Sequence, residues 1–356
     1  MTQLYPYQSQ LVRLVDSAFA KGHKRLCVQM PTGAGKTVVA AEVVRRLNGR
    51  VLYVVPSIEI LKQTEKTLRL FGVKPELLAA GAWPRLRNQR VVLAMAQTLQ
   101  RRMGMMHDSP WYPDVIVVDE AHRLLDAHML TLAAFPVPSI ALTATPVRLD
   151  GKRLTTIWPL TIQGPSIQEL QKMGRLCPVH TLQVPIGSLK GLRLRGGDYE
   201  QGALEKRLME HDAPAQVAAA WRKYLRGRRT LCFAPGRHLS EAIVMRLKEV
   251  GCRAVHVDAT TPKDQREWAL KSLAAGRIDV VSNCGLFIEG LDLPNVNGVI
   301  NCTPTHSLTR WLQTAGRGMR GLAGKSDCIL IDCGGCTARL GSVEATRDWR
   351  QGGVVV

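Results

Sequence analysis

The sequence predicts an α/β protein of two domains, each with a mostly parallel sheet flanked by helices. Three observations carry that prediction. Short runs rich in Val, Ile and Leu recur without polar alternation, as expected of parallel strands covered on both faces. Helix-like segments separate the runs, the order that parallel connections require. The rhythm occurs twice with an irregular stretch between, and 356 residues are long for one hydrophobic core.

In chain order, the first set of runs is LCVQM (26–30), VLYVV (51–55), VVLAM (91–95), VIVVD (115–119) and SIALTA (139–144). Helices are expected between them, at Thr37–Leu47 and Ile58–Leu70. From about Pro146 to Gln201 the chain is rich in Gly and Pro, as in WPLTIQGPS and GLRLRGGD, and the pattern lapses. It resumes with TLCFA (230–234), AVHVDA (254–259), VVSN (280–283), VNGVIN (296–301) and CILID (328–332). The domains are therefore expected at 1–163 and 164–356. No heptads, low-complexity tracts or short-period repeats interrupt this plan.

Hydrophobic residues make up 46% of the chain and charged residues 22%, ordinary values for a globular protein. The charge balance is not ordinary: 48 Lys and Arg against 29 Asp and Glu leave +19. Such an excess attracts polyanions, because neutralising phosphates releases counterions, so nucleic acid is the expected partner. The opening residues, MTQLYPYQSQLVRLVD, lack the apolar core of a signal peptide, and no apolar run approaches membrane-spanning length. A cytoplasmic chain with no membrane partner is expected. The nine Cys are scattered, several in apolar runs, which suits buried thiols in a reducing compartment. Cys328, Cys333 and Cys336 have no fourth ligand at a suitable spacing, so no zinc is expected.

Four motifs carry chemistry. In PTGAGKT (Pro31, Thr32, Gly33, Ala34, Gly35, Lys36, Thr37) the glycines let backbone N–H groups close around phosphate oxygens, ahead of a helix N-terminus. Lys36 would reach the β- and γ-phosphates and Thr37 would offer its hydroxyl to Mg²⁺. A strict P-loop has glycine where this chain has Met30. In VIVVDEAH (115–122) a buried strand ends in adjacent carboxylates. Asp119 is placed to hold Mg²⁺ through water, and Glu120 to orient and deprotonate the attacking water. His122 would link that site to the turn TATP, with Thr143 and Thr145. In QTAGRGMR (313–320), Arg317 and Arg320 are three apart and would share one helix face. Two guanidiniums there could stabilise charge on a transferring phosphoryl group.

In this order PTGAGKT, DEAH, TAT and QTAGRGMR resemble motifs I, II, III and VI of the superfamily-two helicases and translocases. Nearly the whole chain shares the resemblance: VPSIEILKQT (55–64) and MAQTLQRR (95–102) look like nucleic-acid-contacting motifs, LCFAPGRHLS (231–240) like motif IV and NCGLFIEGLDLPNV (283–296) like motif V. Within the superfamily the likeness is to the RadD, UvsW and XPB group. It rests on YPYQ near the N-terminus, on GPSIQELQKMGRLCPV (164–179) and on CILIDCGGCTARLG with RDW after it. In RadD a cysteine-rich extension follows, whereas this sequence closes at Val356. The group usually has Arg where this chain has Tyr5.

The resemblance implies two RecA-like domains with ATP in the cleft between them. The first would bring Lys36, Thr37, Asp119 and Glu120. The second would bring Gln313, Arg317 and Arg320, with Gly290 and Asp292 near the ribose and phosphates. Tyr5 would stack on adenine and Gln8 would hydrogen-bond its edge. Backbone contacts to nucleic acid would come from Ser57, Gln63, Gln97 and Thr98, and from Arg237, Asn283 and Cys284. Two further basic clusters, RLRNQR (85–90) and LKGLRLRGGD with Arg193 and Arg195, are candidates for a duplex or fork. The function implied is an ATP- and Mg²⁺-dependent DNA helicase or translocase, working as a monomer in a bacterial or phage-infected cell. An RNA helicase, or an ATP-gated nucleic-acid clamp with little unwinding of its own, would share these motifs.

Overall fold

The computed structural model describes residues 3–79, 88–107, 109–123, 126–148, 151–288 and 293–349. The chain forms two compact units. One runs to Ser166 and takes in the closing segment from Arg347; the other runs from Ile167 to Thr346.

The first unit is built on β1 (Arg25–Gln29), β2 (Val51–Val55), β3 (Glu76–Leu78), β4 (Val91–Met95), β5 (Val115–Val118), β6 (Ser139–Thr143) and β7 (Leu160–Gln163). They lie in the order β3-β4-β2-β5-β6-β1-β7, every pair parallel. β2, β5 and β6 are buried along their whole length, which is why each reads as an unbroken apolar run. The helices are α1 (Pro6–Ala20), α2 (Lys36–Arg46), α3 (Ile58–Leu70), α4 (Ala96–Arg101), α5 (Met103–His107) and α6 (Asp126–Ala134). Ser57 caps α3, its hydroxyl accepting from the Ile60 N–H at 3.3 Å. Arg90 closes the other end of α2 by donating to the carbonyls of Val44, Arg45 and Leu47. This gives one member of the RLRNQR cluster a structural task, while residues 85–87 lie outside the described residues. At the β7 edge, Gln163 donates to the Arg347 carbonyl at 3.1 Å and accepts from the Trp349 N–H at 3.0 Å. Trp349 is buried there, so residues 347–349 are held on the first unit.

The second unit has β8 (Val179–Gln183), β9 (Leu194–Arg195), β10 (Asp198–Tyr199), β11 (Thr230–Ala234), β12 (Ala254–Val257), β13 (Val280–Cys284), β14 (Gly298–Asn301) and β15 (Cys328–Asp332). Six of them form a parallel sheet in the order β12-β13-β11-β14-β15-β8. Its helices are α7 (Ile167–Lys172), α8 (Gln201–Glu210), α9 (Ala213–Tyr224), α10 (Arg237–Glu249), α11 (Lys263–Ala274), α12 (Leu308–Gly316) and α13 (Cys336–Leu340). Val217 and Trp221 of α9 share a core with Leu239, Ile243 and Leu247 of α10 and with Cys232 and Ile300 of the sheet.

Part of the irregular middle is a hairpin. β9 and β10 pair antiparallel around Gly196 and Gly197, whose φ angles of 62° and 86° are those a two-residue turn of opposite hand needs. The Asp198 carboxylate accepts from the Thr305 hydroxyl at 2.6 Å, the His306 N–H at 2.9 Å and Arg310 Nη1 at 3.2 Å. The hairpin is thereby fastened to the start of α12, and Arg193 and Arg195 stand exposed on it. Among the described residues, no helix is long and apolar enough to cross a membrane.

Candidate active site

The phosphate-type loop joins β1 to α2. Gly33 and Gly35 have φ of 88° and 83°, a left-handed backbone that glycine adopts without a Cβ penalty. Gly35 is also required sterically, since a Cβ there would stand 2.5 Å from Gln8 Nε2. The loop is held from α1. Tyr7 donates its hydroxyl to the Ala34 carbonyl at 2.9 Å, and Gln8 Nε2 approaches the same carbonyl at 3.4 Å. Gln8 Oε1 accepts from the Tyr5 N–H at 3.0 Å, so one end of this amide caps α1 while the other reaches the loop. A purine edge would use its second N–H and second lone pair. Tyr5 is exposed, its ring 6.0 Å from and nearly parallel to that of Tyr7.

Met30, where a strict P-loop has glycine, is fully buried and has no left-handed backbone. Its N–H donates to the Thr143 carbonyl at 3.0 Å. Its side chain lies against Gly164, where a Cβ would come within 3.1 Å of Met30 Cγ and 3.0 Å of the Gln29 carbonyl. The space that glycine would leave at position 30 is thus left at Gly164 instead.

The two carboxylates follow β5. Asp119 is buried and accepts from the Tyr53 hydroxyl at 3.2 Å and from the Glu120 N–H at 2.9 Å. Burial, and then the neighbouring Glu120 carboxylate, push the Asp119 carboxyl up to about 7, while the Lys36 ammonium pulls it down. Glu120 has φ of +47°, a backbone state uncommon for any residue but glycine and of the kind that collects at functional sites. Its carboxylate stands 3.5 Å from Lys36 Nζ through Oε1 and 3.4 Å from His122 Nδ1 through Oε2. That Oε2 is buried and accepts no hydrogen bond.

His122 joins this carboxylate to the turn after β6. The Thr143 hydroxyl donates its one proton to the Thr145 carbonyl at 2.7 Å. It must therefore accept from the Thr145 N–H and from His122 Nδ1, both at 3.1 Å, so Nδ1 carries a hydrogen. Gln29 adds a second tie, donating to the Ala144 carbonyl at 2.8 Å. Loop, carboxylates and TATP turn are linked inside the first unit partly by hydrogen bonds and partly by the close Lys36–Glu120 and Glu120–His122 contacts.

The donor set suits Mg²⁺ held with a nucleotide. No group of three or more metal-ligating side chains occurs among the described residues. Mg²⁺ rarely needs one, because it is usually bound by one or two carboxylates together with water and substrate phosphates. Thr37 lies in the first turn of α2, and the buried Asp119 carboxylate, raised by its surroundings, is the kind of anion that a cation would stabilise. When bound, the ion would supply charge neutralisation for the phosphates.

The second unit carries Gln313 and Arg317 buried on α12 or at its end, with Arg317 Nε 3.4 Å from the Gln313 carbonyl. The expectation of one shared helix face for both arginines does not hold. α12 ends at Gly316, and Arg320 lies beyond it in an antiparallel bridge with Leu176. The reason is close packing. A Cβ at Gly318 would stand 2.3 Å from Cys328 Sγ, and one at Gly321 would stand 2.8 Å from the Arg175 carbonyl, so the chain leaves the helix to run against β15 and residues 175–177. Gly290 and Asp292 lie outside the described residues.

The candidate nucleic-acid contacts are unevenly accessible. Gln97 and Arg237 are exposed, and Ser57, Gln63, Thr98 and Cys284 are half-buried. Arg237 is engaged with Glu241 at 2.8 Å and with the Thr260 hydroxyl at 3.2 Å. Asn283 departs from its expected place: its side chain is fully buried and donates to the Cys232 carbonyl at 2.8 Å, bracing β13 against β11. Sequence reasoning also passed over Tyr7 and Tyr53. The signal for each was present, a tyrosine beside YPYQ's glutamine and a polar tip inside the apolar run VLYVV.

Two family descriptions match the chain in tandem. "Type III restriction enzyme, res subunit" matches residues 1–148 and "Helicase conserved C-terminal domain" matches residues 216–321. With the ordered motifs and the two parallel-sheet units, these matches make the chain similar in both of its halves to superfamily-two helicases. A 51.5 kDa protein of a Lactococcus phage is 30% identical over 86% of this chain and 64% of its own length. IRC3 of Saccharomyces cerevisiae, which bears the name of an ATP-dependent helicase, is 26% identical over 96% of this chain and 53% of its own. The DNA 3'-5' translocase XPB2 of Sulfurisphaera tokodaii is 25% identical over 89% and 79%. In fold, the chain resembles a fragment of a type I restriction-enzyme HsdR subunit from Vibrio vulnificus, with a TM-score of 0.74 at 20% identity, over 94% of this chain and 65% of that one. The chain thus spans between half and two thirds of the length of the first two relatives.

Proposed function

We propose that the chain is an ATP-dependent DNA helicase or translocase acting on duplex or branched DNA, of the RadD, UvsW and XPB kind. The observation that carries this reading is the continuous chain Lys36–Glu120–His122–Thr143. It joins the lysine of the glycine-rich loop, through a carboxylate carried on a left-handed backbone, to the turn after β6. A simple kinase has no need of such a connection. DNA as the track is supported by the +19 charge and by the name of the XPB2 relative.

In this reading Pro31 to Thr37 wrap the phosphates, with Lys36 on the β- and γ-oxygens, and Thr37 and Asp119 hold Mg²⁺. Glu120 takes the proton of the attacking water. Arg317 and Arg320 offset charge on the transferring group, assisted by Gln313, with Gly290 and Asp292 toward the ribose. Tyr5 and Gln8 bind the adenine. Ser57, Gln63, Gln97 and Thr98 of the first unit, and Arg237 and Cys284 of the second, grip the nucleic-acid backbone without reading sequence.

The test is strand displacement on a forked duplex with ATP, beside the same assay on an RNA duplex. Displacement of DNA is expected. ATP hydrolysis with no displacement or movement on any DNA would favour a clamp, and displacement of RNA alone would move the chain to the RNA helicases. A separate expectation concerns the hairpin. Arg193→Glu with Arg195→Glu lowers DNA affinity and makes log K against log[salt] shallower by about 2, one increment per lost phosphate contact. Titration of a labelled duplex at several salt concentrations reads both, and unchanged binding would remove the hairpin from the interface.

A further inference from the structure

The Lys325 side chain sits in a cradle of backbone carbonyls within the second unit. Its ammonium donates to the carbonyls of Gly318 at 2.5 Å, Val296 at 2.6 Å, Arg320 at 2.8 Å and Pro294 at 3.3 Å. An ammonium has three protons and no acceptor, so four carbonyls saturate it, with the longest contact shared. Burial holds the Lys325 amine below the usual lysine range. Surface lysines extend into water, and a lysine committed to four carbonyls is costly to bury unless the arrangement fixes something.

What it fixes is the position of Arg320. Two of the carbonyls flank and include that residue, and the other two belong to the segment that leads out of the motif V-like stretch into β14. On its opposite side the same backbone is held by residues 175–177: Cys177 N–H donates to the Met319 carbonyl at 2.9 Å and Gly321 N–H to the Arg175 carbonyl at 3.2 Å. α12 ends at Gly316, so Arg320 lies beyond the helix. There the bridge to Leu176 and the lysine cradle hold its backbone.

We infer that Lys325 is a positioning residue for phosphoryl transfer, holding the Arg320 backbone in register with the segment ending at Val296 so that the guanidinium meets the phosphates. The inference rests on the reading of Arg320 as a phosphate-stabilising arginine. Misplacement of a reacting group by about 1 Å costs on the order of 100-fold in rate, and a loss of that order is expected when the cradle is emptied.

The test is a double-mutant cycle. Lys325→Met, which keeps the stem and removes the charge, and Lys325→Gln, which keeps two N–H donors, are each made in the parent chain and in Arg320→Ala. For every variant the ATPase kcat, the KM for ATP and the Tm are measured with saturating DNA, well below the lowest Tm. The expected result is a kcat lowered on the order of 100-fold by Lys325→Met and less by Lys325→Gln, with KM little changed, and no further fall in kcat when either is added to Arg320→Ala. The Tm falls to the same extent in both backgrounds. An equal fall in kcat with or without Arg320 would overturn the inference, as would failure of both lysine variants to fold, since the cradle would then serve the fold alone. If Arg320→Ala by itself leaves kcat unchanged, the reading of Arg320 fails, and that result is visible apart from the lysine variants.

Discussion

Arg320→Ala and Arg317→Ala are each expected to lower the DNA-stimulated kcat for ATP hydrolysis by on the order of 10³-fold, the scale on which arginine fingers act. ATP affinity changes little. The charge that builds on the equatorial phosphate oxygens belongs to the transition state, so its loss is felt in kcat and not in ground-state binding. The two residues are held differently. Arg317 is buried at the end of α12 against the Gln313 carbonyl, whereas Arg320 is fixed by the bridge to Leu176 and by the Lys325 cradle. Lysine in place of either is expected to recover little activity, because a point charge does not reproduce a planar fork. Steady-state ATPase rates, with binding of a fluorescent ATP analogue measured separately, check both statements. A variant that loses ATP affinity and keeps kcat would assign its arginine to binding.

Glu120→Gln is expected to lower kcat by about 10²–10⁴-fold, the range of a lost general base. ATP and Mg²⁺ remain bound. Glutamine keeps the size of the side chain, so the left-handed backbone at this position is not disturbed. The substitution also removes the negative charge that helps raise Asp119. The Asp119 carboxyl should then fall toward the ordinary carboxylate range, leaving it more fully ionised at neutral pH. Mg²⁺-dependent nucleotide binding is therefore expected to persist in Glu120→Gln and to weaken in Asp119→Asn. Binding titrations with and without Mg²⁺ separate the two carboxylates. Parallel behaviour of the two variants would mean that they share one role.

The first unit was the more legible in sequence. β2, β4, β5 and β6 read directly from apolar runs because they lie inside the sheet and are buried on both faces. β3 and β7 did not, since each is an edge strand, one of three residues and the other half-exposed. The site chemistry was visible wherever it depends on neighbours in sequence: glycines before Lys36, and two acids at the end of a strand. It was hidden where it depends on neighbours in space. Tyr7 reaches Ala34 across 27 positions and Tyr53 reaches Asp119 across 66. Met30 looked like a defect in the loop until Gly164, far along the chain, is seen lying against it. Spacing alone also misplaced Arg320, because an i,i+3 rule holds only while the helix continues, and packing at Gly318 and Gly321 ends it. Asn283 misled for a related reason, as a polar residue at a strand end can serve the sheet as readily as the surface.

Hydrolysis of ATP by this chain is expected to depend on nucleic acid. The most direct measurement is the Mg²⁺-dependent ATPase rate of the whole chain with no nucleic acid, single-stranded DNA, duplex DNA, a fork, a four-way junction and RNA, with Glu120→Gln as the inactive control. Strong stimulation by duplex or branched DNA, absent from the control, is the predicted result. A rate that no nucleic acid changes, with ATP still bound, would contradict it.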